Sequence, residues 1–189
     1  MSPEDLMAAA SQLGLESVRN NWGGPFGAVI VKDGQIIAAG QNRVLLTADV
    51  TAHAEIEAIR KAAAVLNPHA PSVAPPDWSR STLALVDRDE GSDDPVPQRS
   101  RMLQGYQIYT NGFPCPMCMG AIYWARLDAL FYACGVEETR AIGFDDAFQY
   151  EDFTKPLTER RIPITQVGLE HGLSAYRAWA DLPQPHPYS

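Results

Sequence analysis

The chain has 189 residues, of which 46% are hydrophobic and 20% charged, and a formal net charge of -8. That length suits one domain with a sizeable core, and the mix argues against wholesale disorder. The acidic balance, with no dense Lys/Arg patch in the sequence, argues against a nucleic-acid partner, because a polyanionic backbone selects basic surfaces.

Ser2, Pro3 and Asp5 read as a helix cap, a first turn and the closing residue of a capping box. The helix they open runs to near Asn20, with Leu6, Leu13 and Val18 on its apolar side, and Gly23-Gly24-Pro25 breaks the chain. Phe26–Val31 reads as a strand, Lys32-Asp33-Gly34-Gln35 as a turn, and Ile36–Ala39 as the hairpin partner. Thr51 precedes an alanine-rich helix over Ala52–Leu66, where Glu57 and Lys61 are spaced for an i,i+4 ion pair. Asn67–Ser79 is a proline-rich loop, Thr82–Val86 a strand, and Asp87–Arg101 an acidic excursion broken by Pro95 and Pro97. Tyr106–Thr110 is the next strand, Asn111 to Pro114 a turn, and Pro116–Arg126 a helix. Leu130–Ala133 is a further strand, with Cys134 assigned to the core beside it. Ile162–Leu169 contains a last strand and Gly172–Leu182 a helix; recurring proline excludes a helix in the tail 183–189. Alternating strands and helices predict one layered α/β domain, and the early hairpin makes an all-parallel sheet unfavourable.

The start, MSPEDLMAAA, lacks the basic and apolar pattern of a secretory signal, and no run of about eighteen apolar residues predicts a spanning helix. A cytoplasmic protein with no membrane partner is expected.

Three cysteines are present. Cys115 and Cys118 form a C-x-x-C pair that suits redox chemistry or a metal. With His53 they make three protein ligands, which is the composition of an open catalytic zinc site with water in the fourth position. Glu55, two residues after His53, is placed to move protons at that water. Both motifs sit at predicted helix starts, where backbone N–H groups and the positive end of the helix dipole favour thiolates. Each residue alone has an ordinary explanation in a cap, a core or a solvated face. Jointly, His53-Ala54-Glu55 and Pro114-Cys115-Pro116-Met117-Cys118 match the zinc deaminase signature.

On these motifs the chain resembles the cytidine and deoxycytidylate deaminase superfamily. Within it, GGPFGAVIVKDG at 23–34, GQN at 40–42, TAHAEIEAIRKA at 51–62, GAIYWAR at 120–126 and GFDDAFQYED at 143–152 resemble the bacterial guanine deaminases. The resemblance implies a three-layer α/β/α cytidine-deaminase-like fold with a mixed central sheet. It implies one Zn²⁺ per subunit on His53, Cys115 and Cys118, with Glu55 as the proton shuttle. It implies base recognition by Asn42 and the backbone at Ala54, a pocket wall at Phe26, an acidic contact from Asp146 in preference to Asp145, and a closing Tyr188. It further implies hydrolysis of free guanine to xanthine and ammonia, extending to aminated triazines such as ammeline. The expected assembly is a homodimer in which a C-terminal segment, about 170–189, crosses to the partner. Where the family often has CEPC, this chain has Gly112-Phe113-Pro114-Cys115, and its loops at 67–80 and 87–104 are longer than usual. Three other readings stay open: deamination of cytosine or another nucleobase, deamination of a tRNA adenosine, and a non-catalytic structural zinc protein.

Overall fold

The computed structural model describes residues 1–68 and 102–183. The expected strand at Thr82–Val86, most of the two long loops, and the tail with Tyr188 lie outside the described residues.

Helix α1 spans Pro3–Arg19 and opens with the expected box: Ser2 Oγ accepts from Asp5 N, and the Asp5 carboxylate accepts from Ser2 N. Its buried stripe is Leu6, Ala10, Gly14 and Ser17, a spacing of one helical face. Val18, expected on that face, is exposed. Strands β1 (Gly27–Lys32) and β2 (Gln35–Gln41) form the hairpin. Asp33 and Gly34 both have positive φ, at 49° and 73°. Two successive left-handed residues are what a tight two-residue turn between twisted strands requires.

The sheet has the order β2-β1-β3-β4, where β3 is Gln107–Gly112 and β4 is Ala129–Cys134. Strand β1 runs antiparallel to both neighbours, while β3 and β4 are parallel. Side chains of β1 alternate between two cores. Val29 and Val31 meet Leu6 and Ala10 of α1. Ala28 and Ile30 join Ala54, Ala58 and Ala62 of α3 (Ala54–Leu66), with Ile122 and Ala125 of α4 (Pro116–Ala125). The result is α1, a mixed sheet, then α3 and α4: three layers, as expected. A short helix α2 (Val44–Thr47) precedes α3.

Several expectations change. The helix expected from Ala52 begins at Ala54, because Asp49 accepts from both the backbone N–H and the hydroxyl of Thr51 and holds it in a turn. Glu57 pairs with Arg60 at 3.3 Å, and Lys61 Nζ donates to the Ala39 carbonyl. Cys134 is exposed, like the three residues before it: β4 is the outer strand of the sheet among the described residues, and little packs over its end. No strand forms over 162–169: the segment has no regular structure, Gly168 turns left-handed, and Leu169 opens α7 (Leu169–Ala180). Two short helices escaped the periodicity, α5 (Val136–Ala141) and α6 (Ala147–Thr154). Among the described residues no helix is long and apolar enough to cross a membrane.

Candidate active site

Two helix starts converge. His53 is the N-cap of α3 and Cys115 the N-cap of α4, both with extended backbone and neither using its side chain as a cap. An N-cap normally spends its side chain on the first turn's N–H groups. Here the imidazole and the thiol are turned toward each other instead. Proline at the first position of α4 costs nothing, since that N–H has no helical partner. Cys118, one turn on, is fully buried and points to the same place.

His53 Nδ1 lies 3.6 Å from Cys115 Sγ and 3.5 Å from Cys118 Sγ. All three ligand atoms lie within 4.8 Å of one another. A tetrahedral ion with bonds of about 2.3 Å to sulfur and about 2.0–2.1 Å to nitrogen separates N from S by about 3.6 Å. The separations present already match, so the residues fit a zinc ion without rearrangement, and three protein ligands leave one position open.

The electrostatics reflect crowding. Hydrogen bonding from the Cys118 thiol, then from His53, holds Cys115 down to about 4 against burial. Cys118 is pushed far up by giving that hydrogen bond and by burial. His53 is raised, chiefly by its hydrogen bond to Cys115. Glu55 is only 7% exposed, and burial raises its carboxyl above the ordinary glutamate value. A buried carboxyl with a raised pKa beside a metal-ligand set is suited to carrying protons.

Asn42 is buried, and its surroundings fix which way its amide faces. Its Oδ1 accepts from Gly24 N and Val44 N, each at 3.2 Å. Its backbone N–H donates to the Phe26 carbonyl, and its own carbonyl accepts from the buried Ser17 hydroxyl at 2.7 Å. Nδ2 is left as its one polar atom with no partner among the described residues. A flipped amide would point two N–H donors at two more, so the orientation is set by chemistry. Gly23 is obligatory here, because a Cβ would overlap Asn42 Oδ1. In the fold the Asn42 side chain therefore has only a donor left for a ligand.

Phe26 packs partly against the core and edge-to-face on Phe144, with ring centroids 5.1 Å apart. Ala54 is the first residue of α3, where a backbone N–H has no intrahelical partner. The two aspartates separate. Asp145 is exposed, pairs with Arg140 at 3.3 Å and accepts from Ala147 N. Asp146 is half-buried and lies within the electrostatic reach of Cys115 and His53; burial, then the Cys115 charge, raises its carboxyl. Asp146 also lines a hollow with Phe113, Pro114, Val136, Thr139, Phe144 and Tyr150.

Tyr150 is the residue the sequence reading missed. Its hydroxyl donates to the Pro114 carbonyl at 2.8 Å, and its pKa is pushed up to about 12 by burial and by the charges of Cys115 and Asp146. Its signal was its place four residues after Asp146, which puts both on one helical face.

The cytidine and deoxycytidylate deaminase zinc-binding region matches residues 1–134. Guanine deaminase of Bacillus subtilis (strain 168) is 42% identical over 188 residues, covering 100% of both chains. The X-ray structure of a guanine deaminase from Bacillus subtilis superposes with a TM-score of 0.79 at 41% identity, again over 100% of each chain. A tRNA-specific adenosine deaminase of Agrobacterium fabrum is 30% identical over 151 residues, 80% of this chain and 75% of that protein. With a matching ligand set, a matching fold and a full-length likeness, the chain belongs to the guanine deaminase family within the cytidine and deoxycytidylate deaminase superfamily.

Proposed function

We propose that this protein hydrolyses the exocyclic amine of free guanine, giving xanthine and ammonia. The observation that carries the reading is the buried Glu55 carboxyl set against the His53, Cys115 and Cys118 atoms. One zinc ion per chain, held by those three side chains, would supply the Lewis acidity that makes water a nucleophile near neutral pH. Glu55 takes one proton from the water whose oxygen adds to C2 of the base, and gives it to the adjacent ring nitrogen N3. It then relays the second water proton to the amine. The C2–N bond breaks, ammonia leaves, and the new C2 oxygen becomes the xanthine carbonyl. The N–H groups without helical partners at the start of α4 would stabilise the negative charge that develops on that oxygen.

Asn42 and Asp146 support guanine over other bases. Nδ2 of Asn42 offers a donor only, which suits O6 and N7 of guanine. Adenine carries an amine in place of O6 and would set donor against donor. Asp146 accepts from a ring N–H, and Phe26 and Phe144 wall the base. The name of the Bacillus subtilis relative agrees with this assignment. Ammeline, with an aminated ring of similar donors and acceptors, is a second substrate of the same pocket.

The assay is ammonia release by zinc-loaded protein on guanine, ammeline, cytosine, adenine, guanosine and a tRNA anticodon stem-loop. Guanine should lead, and Glu55→Gln should keep its zinc while losing about 10²–10⁴-fold in turnover. Turnover of the stem-loop without free guanine would discard the substrate, and near-normal turnover by Glu55→Gln would discard the shuttle.

The same reading includes a dimer with crossed C-terminal segments. Helix α7 buries no residue, and Ile162, Val167, Leu169, Tyr176 and Trp179 are exposed in the single chain. Among the described residues β4 is the outer strand of the sheet, with Phe131 and Tyr132 exposed. So much apolar surface calls for a partner, and a second copy with Tyr188 closing the neighbouring site would cover it. A solution mass of twice 20.7 kDa sustains this assembly, and 20.7 kDa removes it.

A further inference from the structure

Helix α6 carries Asp146 at its N-cap, yet none of its residues is buried. A helix with no buried face is not located by packing, so its position depends on single contacts. Among the described residues, one hydrogen bond joins α6 to the sheet and its covering helices: Tyr150 Oη donating to the Pro114 carbonyl at 2.8 Å. Pro114 is fully buried, so its carbonyl needs a protein partner, and Tyr150 provides it. Pro114 immediately precedes Cys115, whose sulfur faces His53. The Tyr150 ring also lies against Phe113, with centroids 6.1 Å apart, and Phe113 in turn meets Tyr132 of β4 edge-to-face. The hydrogen bonds of Asp152 to Lys155 and to Arg161 N run to the segment that follows α6 and leave its distance from the cysteine turn free.

We propose that Tyr150 is a positioning residue, which ties α6 to the cysteine turn and so sets Asp146 at its working distance from the metal ligands. The proposal rests on the reading of Asp146 as a substrate contact. Tyr150 itself touches neither substrate nor metal in this role. The hydroxyl fixes the register of α6 along the turn, and the ring fixes its height above Phe113. Asp146, one turn earlier on the same face, is carried with it.

The test uses zinc-loaded full-length Tyr150→Phe, which keeps the ring contact and removes only the hydrogen bond. Amide hydrogen exchange over 147–154 should quicken by roughly three- to tenfold, the scale of one lost hydrogen bond. kcat/KM on guanine should fall by a similar factor with zinc still at one per chain, because the starts of α3 and α4 hold the ligands. In an Asp146→Ala background, Tyr150→Phe should add no further loss, as expected of a residue acting through Asp146. Wild-type exchange over 147–154 overturns the proposal. So does full additivity with Asp146→Ala, or a loss of zinc that accounts for the lost activity. If Asp146→Ala alone turns over guanine at the wild-type rate, the substrate-contact reading fails; the exchange measurement still decides whether Tyr150 holds α6.

Discussion

Replacing Asn42 by aspartate separates recognition from folding. One carboxylate oxygen can still accept from Gly24 N and Val44 N, so the cradle is kept. The other replaces Nδ2, and puts an acceptor where the wild type offers a donor. Guanine O6 would lose its hydrogen bond and face a carboxylate, at a cost of ~2–4 kcal/mol. At about 1.4 kcal/mol per decade, kcat/KM on guanine should fall roughly 30- to 1000-fold. 2,6-Diaminopurine carries an amine in place of O6, so the ratio of diaminopurine to guanine turnover should rise at least about tenfold. Protonating the introduced carboxylate restores a donor, and the guanine defect should shrink as pH falls. Asn42→Ala is the contrasting control, because it leaves two half-buried N–H groups without their acceptor, at ~1–3 kcal/mol each. Its melting temperature should drop by at least ~5 °C. The assays are steady-state ammonia release on both bases from about pH 5 to 8, with thermal melts of all three proteins. Asn42→Asp turning over guanine within about twofold of wild type would refute the donor-only account.

In metal-free protein, the raised carboxyl of Glu55 favours the protonated form in the fold. An acid that holds its proton longer folded than unfolded loses stability as pH rises from the unfolded value, 4.5, through the folded one. Metal-free Glu55→Gln should therefore melt higher than metal-free wild type at about pH 7, with the gap closing below about pH 4; an equal gap at both pH values would rule out titration of Glu55 as the cause. Zinc loading should release about one to two protons per ion near pH 7.5, because Cys118 is pushed up and must surrender its thiol proton, while His53 adds what it still carries. Release of none, read with an indicator dye in weak buffer, would contradict that account of the cysteine pair.

The His53, Cys115 and Cys118 cluster, which could hold a metal ion, was legible because His-x-Glu and Pro-Cys-x-x-Cys are local patterns whose spacing follows from helix starts. The hairpin and capping box were legible for the same reason. Residues 162–169 read as a strand and do not form one, because a strand is a property of a pair, and this segment makes no ladder with either outer strand of the sheet. Cys134 was placed in the core on an apolar run, but only its position in the sheet shows that β4 is an edge. Helices α5 and α6 were missed, since Thr139 is their one buried residue and leaves little periodic signal. The amide direction of Asn42 depends on Gly24, eighteen residues away in sequence, so the residue type was foreseeable and its donor-only state was not.

Neither α3 nor α4 has a side-chain cap, because the residues in those positions are His53 and Cys115. An ordinary cap is worth about 1 kcal/mol. Each helix thus begins with a local deficit that metal ligation would offset at both helix starts at once. Folding equilibrium and metal uptake become one linked equilibrium. The share of folded chain should then track free zinc: a cell short of the ion would hold less of this protein, through degradation of opened chains, before any loss of turnover per molecule.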